Sequence, residues 1–306
     1  MNEIDTIAEV QPIILAKEQP TFIQTPFVKG IIKRALLYLQ AGYPTHFSSP
    51  AGTGKTTLAM YIAAQLGQPT ILIHGDDEFG TSDLVGSEFG YRKKKLVDNF
   101  IHSVLKSEES VIGTWVDNRL TVACKYGFTL IYDEFTRSKA EANNVLLSVL
   151  EERMLDLPAA RGMEGYLRVH PNFRAIFTSN PHEYAGVHRA QDALLDRMIT
   201  IKLSHYDRDT EVTITTAKAD ISRLDAEKIV DIIRALRDRD RNGVIPTIRA
   251  AIMIGKVMRL SGSSASSSDE GFVQCCLDIL DSETDSVDRD KKDIKEKILE
   301  LIKTIC

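Results

Sequence analysis

Residues 48 to 57, SSPAGTGKTT, combine two glycines, a lysine and a run of hydroxyls in a spacing suited to gripping a polyphosphate. Gly52 and Gly54 let successive backbone N–H groups turn inward around an oxyanion, and the helix-like LAMYIAAQL that follows adds its positive dipole end. On this reading Pro50, Ala51, Gly52, Thr53, Gly54, Lys55, Thr56 and Thr57 bind a nucleotide such as ATP, with Lys55 on the β and γ phosphates and the Thr56 hydroxyl on Mg²⁺. Ser49 stands where the G-x-x-x-x-G-K-[ST] pattern has its first glycine, at a cost of ~1–2 kcal/mol if that position needs a positive φ. A glycine-rich N-cap of an ordinary helix is the competing account of this stretch taken alone.

A phosphate loop needs a partner that holds the metal and activates water. The apolar run FTLIY ends in Asp133 and Glu134, so that Asp133 faces the metal's water shell and Glu134 serves as general base. The next apolar run, FRAIFT, leads into Ser179 and Asn180, and at the carboxyl end of a neighbouring strand an amide can orient the attacking water. Arg197, in ALLDR, precedes the last strand and so lies at its amino end, away from the chain's own nucleotide; there it can serve a neighbouring subunit's nucleotide as an arginine finger, with Arg189 as the alternative. An Asp196–Arg197 surface pair is the plainer account. Arg249 falls in the first turn of a helix opened by Pro246, where the macrodipole disfavours a cation by ~0.3–1 kcal/mol. Contact with a γ-phosphate would compensate that placement.

The elements that must position these residues read as an α/β domain followed by helices. Val28, Ile32, Ala35, Leu36 and Leu39 make one face of a helix that Gly42 ends. Five apolar runs, 44–47, 70–74, 128–132, 173–178 and 198–203, alternate with helical stretches, which predicts a five-stranded parallel sheet with helices on both faces. Past His205 helices take over, at about 207–219, 225–240, 247–260, 272–281 and 288–305. The expected organisation is an extended arm over 1–27, a nucleotide-binding domain over 28–204, and a smaller all-helical lid over 205–306 with a flexible serine-rich loop at 261–268.

Composition narrows the partners. A net charge of −5 opposes attraction to nucleic acid or to an anionic membrane. The opening MNEIDTIAEV carries acids where a secretory signal carries bases, and no apolar run approaches the ~20 residues of a membrane span, so a cytoplasmic protein is expected. The four cysteines form no C-x-x-C pair and read as reduced, structural thiols.

In order, SPAGTGKTT, IYDE, FTSN, ALLDR and PTIR resemble an AAA+ ATPase over about residues 28 to 260. GDDEFGTSDLVGSEFG and GTWVDNRLTVACKYGFTLIYDEFTRS are similar to the MoxR branch. NNVLLSVLEERMLDLP and VHPNFRAIFTSNPHEYAGVHRAQDALLDR resemble the gas-vesicle protein N family. The resemblance implies a P-loop AAA+ core with a helical lid, Mg-ATP hydrolysis, and a role in assembling gas vesicles. It also implies a ring-type homo-oligomer, commonly a hexamer, whose partners are gas vesicle structural or accessory proteins and which associates with the vesicle shell. The alternatives are a MoxR-type chaperone-like ATPase that remodels another protein complex, and a small-molecule phosphotransferase built on the same loop. Phe79, Phe89 and the basic run Arg92 to Lys95 are candidate partner contacts, or else a solvated insertion.

Overall fold

Strands buried on both faces need no polar alternation, and the central strands have none. All five residues of β6 (Thr129–Asp133) are buried, and five of the six in β9 (Arg174–Ser179). The computed structural model describes residues 13–14, 22–98, 106–159, 165–180, 192–239, 246–283 and 291–306. Their sheet runs β1 (Ile13–Ile14), β3 (Thr70–His74), β6, β9, β2 (Thr45–Ser48), β10 (Ile199–Lys202). The five expected apolar runs are its five parallel strands. The sixth, β1, was not anticipated: Ile13 and Ile14 pair antiparallel with Ile71 and Thr70 at the sheet edge. A two-residue strand has no periodicity to detect, so only pairing reveals it.

The described residues of 1–18, 35–48 and 59–201 form one compact unit, and those of 19–34, 49–58 and 202–306 another. In the first, Ile71, Ile73, Leu130, Tyr132, Ala175 and Phe177 anchor an apolar core. Two antiparallel hairpins were also unforeseen: β7 (Met154–Asp156) with β8 (Tyr166–Arg168), and the long ribbon of β4 (Gly86–Asp98) with β5 (Lys106–Asp117). The ribbon carries Phe89 and Arg92 to Lys95, whose side chains lie outside the described residues. Phe79 is partly buried and packs against the core.

In the second unit the helices are α8 (Arg208–Ala219), α9 (Arg223–Arg239), α10 (Ile248–Ser261), α11 (Glu270–Glu283) and α12 (Lys291–Ile305). The apolar stripes expected there are buried, among them Ile229, Ile233, Leu236, Ile298 and Ile302. The Glu211 carboxylate, buried in this core, accepts from Arg237 (2.7 Å) and Arg234 (3.1 Å), while Arg237 Nε donates to Pro246 O at 2.6 Å. These bonds fix the backbone just ahead of α10; removing one partner would strand a buried charge. The serine-rich stretch is held in place despite its composition. Ala265 is 1% exposed, its N–H donates to Asp225, and its carbonyl accepts from Lys228 at 2.6 Å.

Candidate nucleotide site

The loop between β2 and α2 (Lys55–Gln65) has the glycine geometry the pattern demands. Gly52 and Gly54 have φ of +75° and +82°, the left-handed region in which a Cβ is strained. A Cβ on Gly52 would lie 2.2 Å from Thr247 Oγ1, so this close approach also requires glycine. Ser49 costs nothing in strain: among the described residues, non-glycine positive φ occurs only at Glu134, Arg153 and Asp220. Its hydroxyl instead bonds the Thr53 hydroxyl, and Thr53 Oγ1 donates to Pro50 O at 3.0 Å, bracing the loop across its own turn. Lys55, 7% exposed, donates from Nζ to Ser49 O at 2.8 Å and Pro50 O at 2.9 Å. Phosphate oxygens would compete for these same protons with the advantage of charge.

Thr247 is the N-cap of α10, accepting the Arg249 N–H at 3.3 Å, so the helix opens at Ile248 and Pro246 lies just outside it. Arg249 stays in the first turn, exposed, and lines a cavity of about 400 Å³ together with Gly52, Gly54, Thr57, Tyr206 and Ile252. Burial pushes the Tyr206 phenol up to about 12, so it remains a hydrogen-bond donor at neutral pH. Apolar side chains, the Tyr206 phenol and the cations Lys218, Arg249 and Lys256 share the lining with the loop, a mix of apolar wall and positive charge that could take an anionic ligand with an apolar body.

The other predicted residues fall in the first unit. Asp133 closes β6, 6% exposed, with Oδ1 accepting from Thr178 Oγ1 at 2.6 Å and Oδ2 3.5 Å from His74 Nδ1. Glu134 follows in the left-handed region, φ 51° and ψ 43°, which its Cβ makes unfavourable. Gly75 makes room for it: a Cβ there would sit 2.1 Å from Glu134 O. The Glu134 carboxylate accepts from Arg137 at 2.9 Å. Asn180, 5% exposed, follows directly on β9. Ser179, beside it, bonds His46 Nε2 at 2.8 Å while His46 Nδ1 meets Thr200 at 3.0 Å. Burial lowers His46 to about 4, so its ring bridges β9 to β10 as a neutral group.

Arg197 is not paired with Asp196. Its guanidinium bonds the Glu151 carboxylate (Nε at 2.7 Å) and Ala193 O, on a half-exposed surface. Arg189 lies outside the described residues. Sequence reasoning missed Thr178, His46, Gly75, Arg137 and Thr247. Of these only Thr247 carried a local signal, as a threonine just ahead of an apolar helical stripe.

The Asp133 carboxylate in the first unit and the Thr56 hydroxyl in the second are each hard oxygens, the donor type that Mg²⁺ takes. Among the described residues no group of three or more His, Cys, Asp or Glu side chains could hold a metal.

An AAA domain of the dynein-related subfamily matches residues 50–198. The gas vesicle ATPase GvpN of Ancylobacter aquaticus is 51% identical over 93% of this chain and 81% of its own length. The gas vesicle ATPase GvpN1 of Halobacterium salinarum is 44% identical over 87% of this chain and 75% of its own. A Thermotoga maritima RuvB structure covers 92% of this chain and 70% of its own at 18% identity and a TM-score of 0.50, a likeness of fold. With half its residues shared along almost its whole length, the chain belongs to the gas vesicle ATPase GvpN family of ATP-hydrolysing AAA proteins.

Proposed function

We propose that this ATPase uses Mg-ATP hydrolysis to promote gas vesicle formation. The observation that carries the reading is the reach of the identity to gas vesicle ATPases, 93% of the chain, well beyond the matched nucleotide-binding region. In this reading residues 1–27 are an arm, 28–204 the nucleotide-binding domain and 205–306 the lid. Pro50 to Thr57 cradle the phosphates, with Lys55 on the β and γ groups. The Thr56 hydroxyl and the Asp133 carboxylate hold Mg²⁺, which supplies charge neutralisation on the phosphate oxygens. Asn180 orients a water and Glu134 takes its proton as the oxygen attacks the γ-phosphorus; the bond to the β–γ bridging oxygen breaks and ADP leaves with the electron pair. Arg249 neutralises charge on the γ-phosphate.

Arg197 serves the nucleotide of the next subunit in a ring, commonly of six. Its ion pair with Glu151, which is 58% exposed, is little obstacle, because exposed pairs contribute only ~0–1 kcal/mol. Mixing Arg197→Ala subunits with Glu134→Gln subunits should restore part of the ATPase rate, since mixed interfaces join one intact base to one intact arginine. Absence of rescue at every ratio would remove Arg197 from a shared site.

The partners proposed are gas vesicle structural or accessory proteins, met in the cytoplasm or at the vesicle shell. No described helix is long and apolar enough to cross a membrane. Deleting the gene in a vesicle-forming host should leave vesicles few or short, with rescue by the wild-type gene and none by Glu134→Gln. Normal vesicle number and length in the deletion strain would overturn the proposal.

A further inference from the structure

The Thr178 side chain, fully buried on β9, touches both acids at the end of β6. Its Oγ1 accepts the backbone N–H of Glu134 at 2.9 Å and stands 2.6 Å from Asp133 Oδ1. An N–H can only donate, so the hydroxyl's single proton is committed to Asp133 Oδ1, and the short distance is that of an O–H bond to a carboxylate. The other carboxylate oxygen, Oδ2, lies 3.5 Å from His74 Nδ1. The same hydroxyl pins the peptide of Glu134, a residue whose left-handed backbone needs support from its surroundings. The parallel register makes this meeting possible: Tyr132 is opposite Phe177, so the next residues, Asp133 at the end of β6 and Thr178 one short of the end of β9, lie side by side.

We propose that Thr178 is a positioning residue for hydrolysis, one hydroxyl that sets the metal-facing oxygen of Asp133 and the carboxylate direction of Glu134. The inference rests on the reading of Asp133 as metal ligand and Glu134 as base. It separates Thr178 from Asn180, two residues on, which is proposed to meet the water itself. Groups that orient a metal ligand from behind change metal affinity or activity by roughly 10–100-fold when lost.

The test compares wild type, Thr178→Val, which keeps the shape and loses the hydroxyl, and Thr178→Ser, which keeps the hydroxyl. Thr178→Val should lower kcat by roughly 10–100-fold and raise the Mg²⁺ concentration needed for half-maximal rate, with KM for ATP little changed. A readout independent of turnover is amide hydrogen exchange at Glu134, which should accelerate in Thr178→Val and return to the wild-type rate in Thr178→Ser, together with kcat. Thr178→Ala takes the place of the valine variant if the latter does not fold. Wild-type kcat and wild-type Glu134 exchange in a folded variant without the hydroxyl would overturn the inference and leave the ATPase reading intact. Loss of kcat that Thr178→Ser does not recover would also overturn it. A wild type no more active than Lys55→Ala would instead overturn the reading on which the inference rests.

Discussion

Lys55→Ala is expected to abolish measurable ATP binding. Lys55 is 7% exposed and its ammonium braces the loop through Ser49 O at 2.8 Å and Pro50 O at 2.9 Å. Alanine removes the cation proposed to face the β and γ phosphates, and with it the donors that hold these carbonyls. Charge-assisted bonds contribute about 1.5–3 kcal/mol each, so losing two of them weakens binding by roughly 100-fold or more. Titration with a fluorescent ATP analogue measures this directly. Affinity within about threefold of wild type, a change under ~0.7 kcal/mol, would show that the loop does not grip phosphate through this lysine.

Glu134→Gln is expected to bind ATP as wild type does and to hydrolyse it roughly 100- to 10,000-fold more slowly, the usual contribution of a positioned general base. Glutamine keeps the size of the side chain and can still accept from Arg137, so the αL turn, the Thr178 contact and the Gly75 fit survive. What it lacks is a basic oxygen. Single-turnover hydrolysis, measured alongside nucleotide affinity, separates the two effects. Hydrolysis equal to wild type would remove Glu134 as the base. The exposed Glu134–Arg137 pair must open before the carboxylate can take a proton from water, and an exposed pair of this kind costs only ~0–1 kcal/mol to part.

Much of the fold was legible because it depends on local pattern. The run FTLIY announces a strand covered on both faces, and Ile229, Ile232, Ile233 and Leu236 announce a helix with one buried stripe; both periods are written in neighbouring residues. Composition was a poorer guide. The stretch SGSSASSS reads as flexible, yet Ala265 inserts into the helical core and its backbone is tied to Asp225 and Lys228. Small side chains let the chain pass close to its neighbours, and burial of one methyl with two hydrogen bonds outweighs the polarity around it.

The sequence by itself determined that the chain carries a phosphate loop at Gly52, Gly54 and Lys55 and a pair of acids at the end of an apolar strand. Each is a cluster of adjacent residues whose chemistry needs no distant partner to recognise. Tertiary structure alone decided what surrounds them. Thr178 reaches Asp133 across 45 residues of chain, and Arg197 finds Glu151 across 46 in place of its neighbour Asp196. Gly52 proved necessary for the close approach of Thr247, and the serine in the first glycine position proved unstrained. Such contacts depend on strand register and on which helix end packs against which loop, and the free energy that selects them is spread over the whole core.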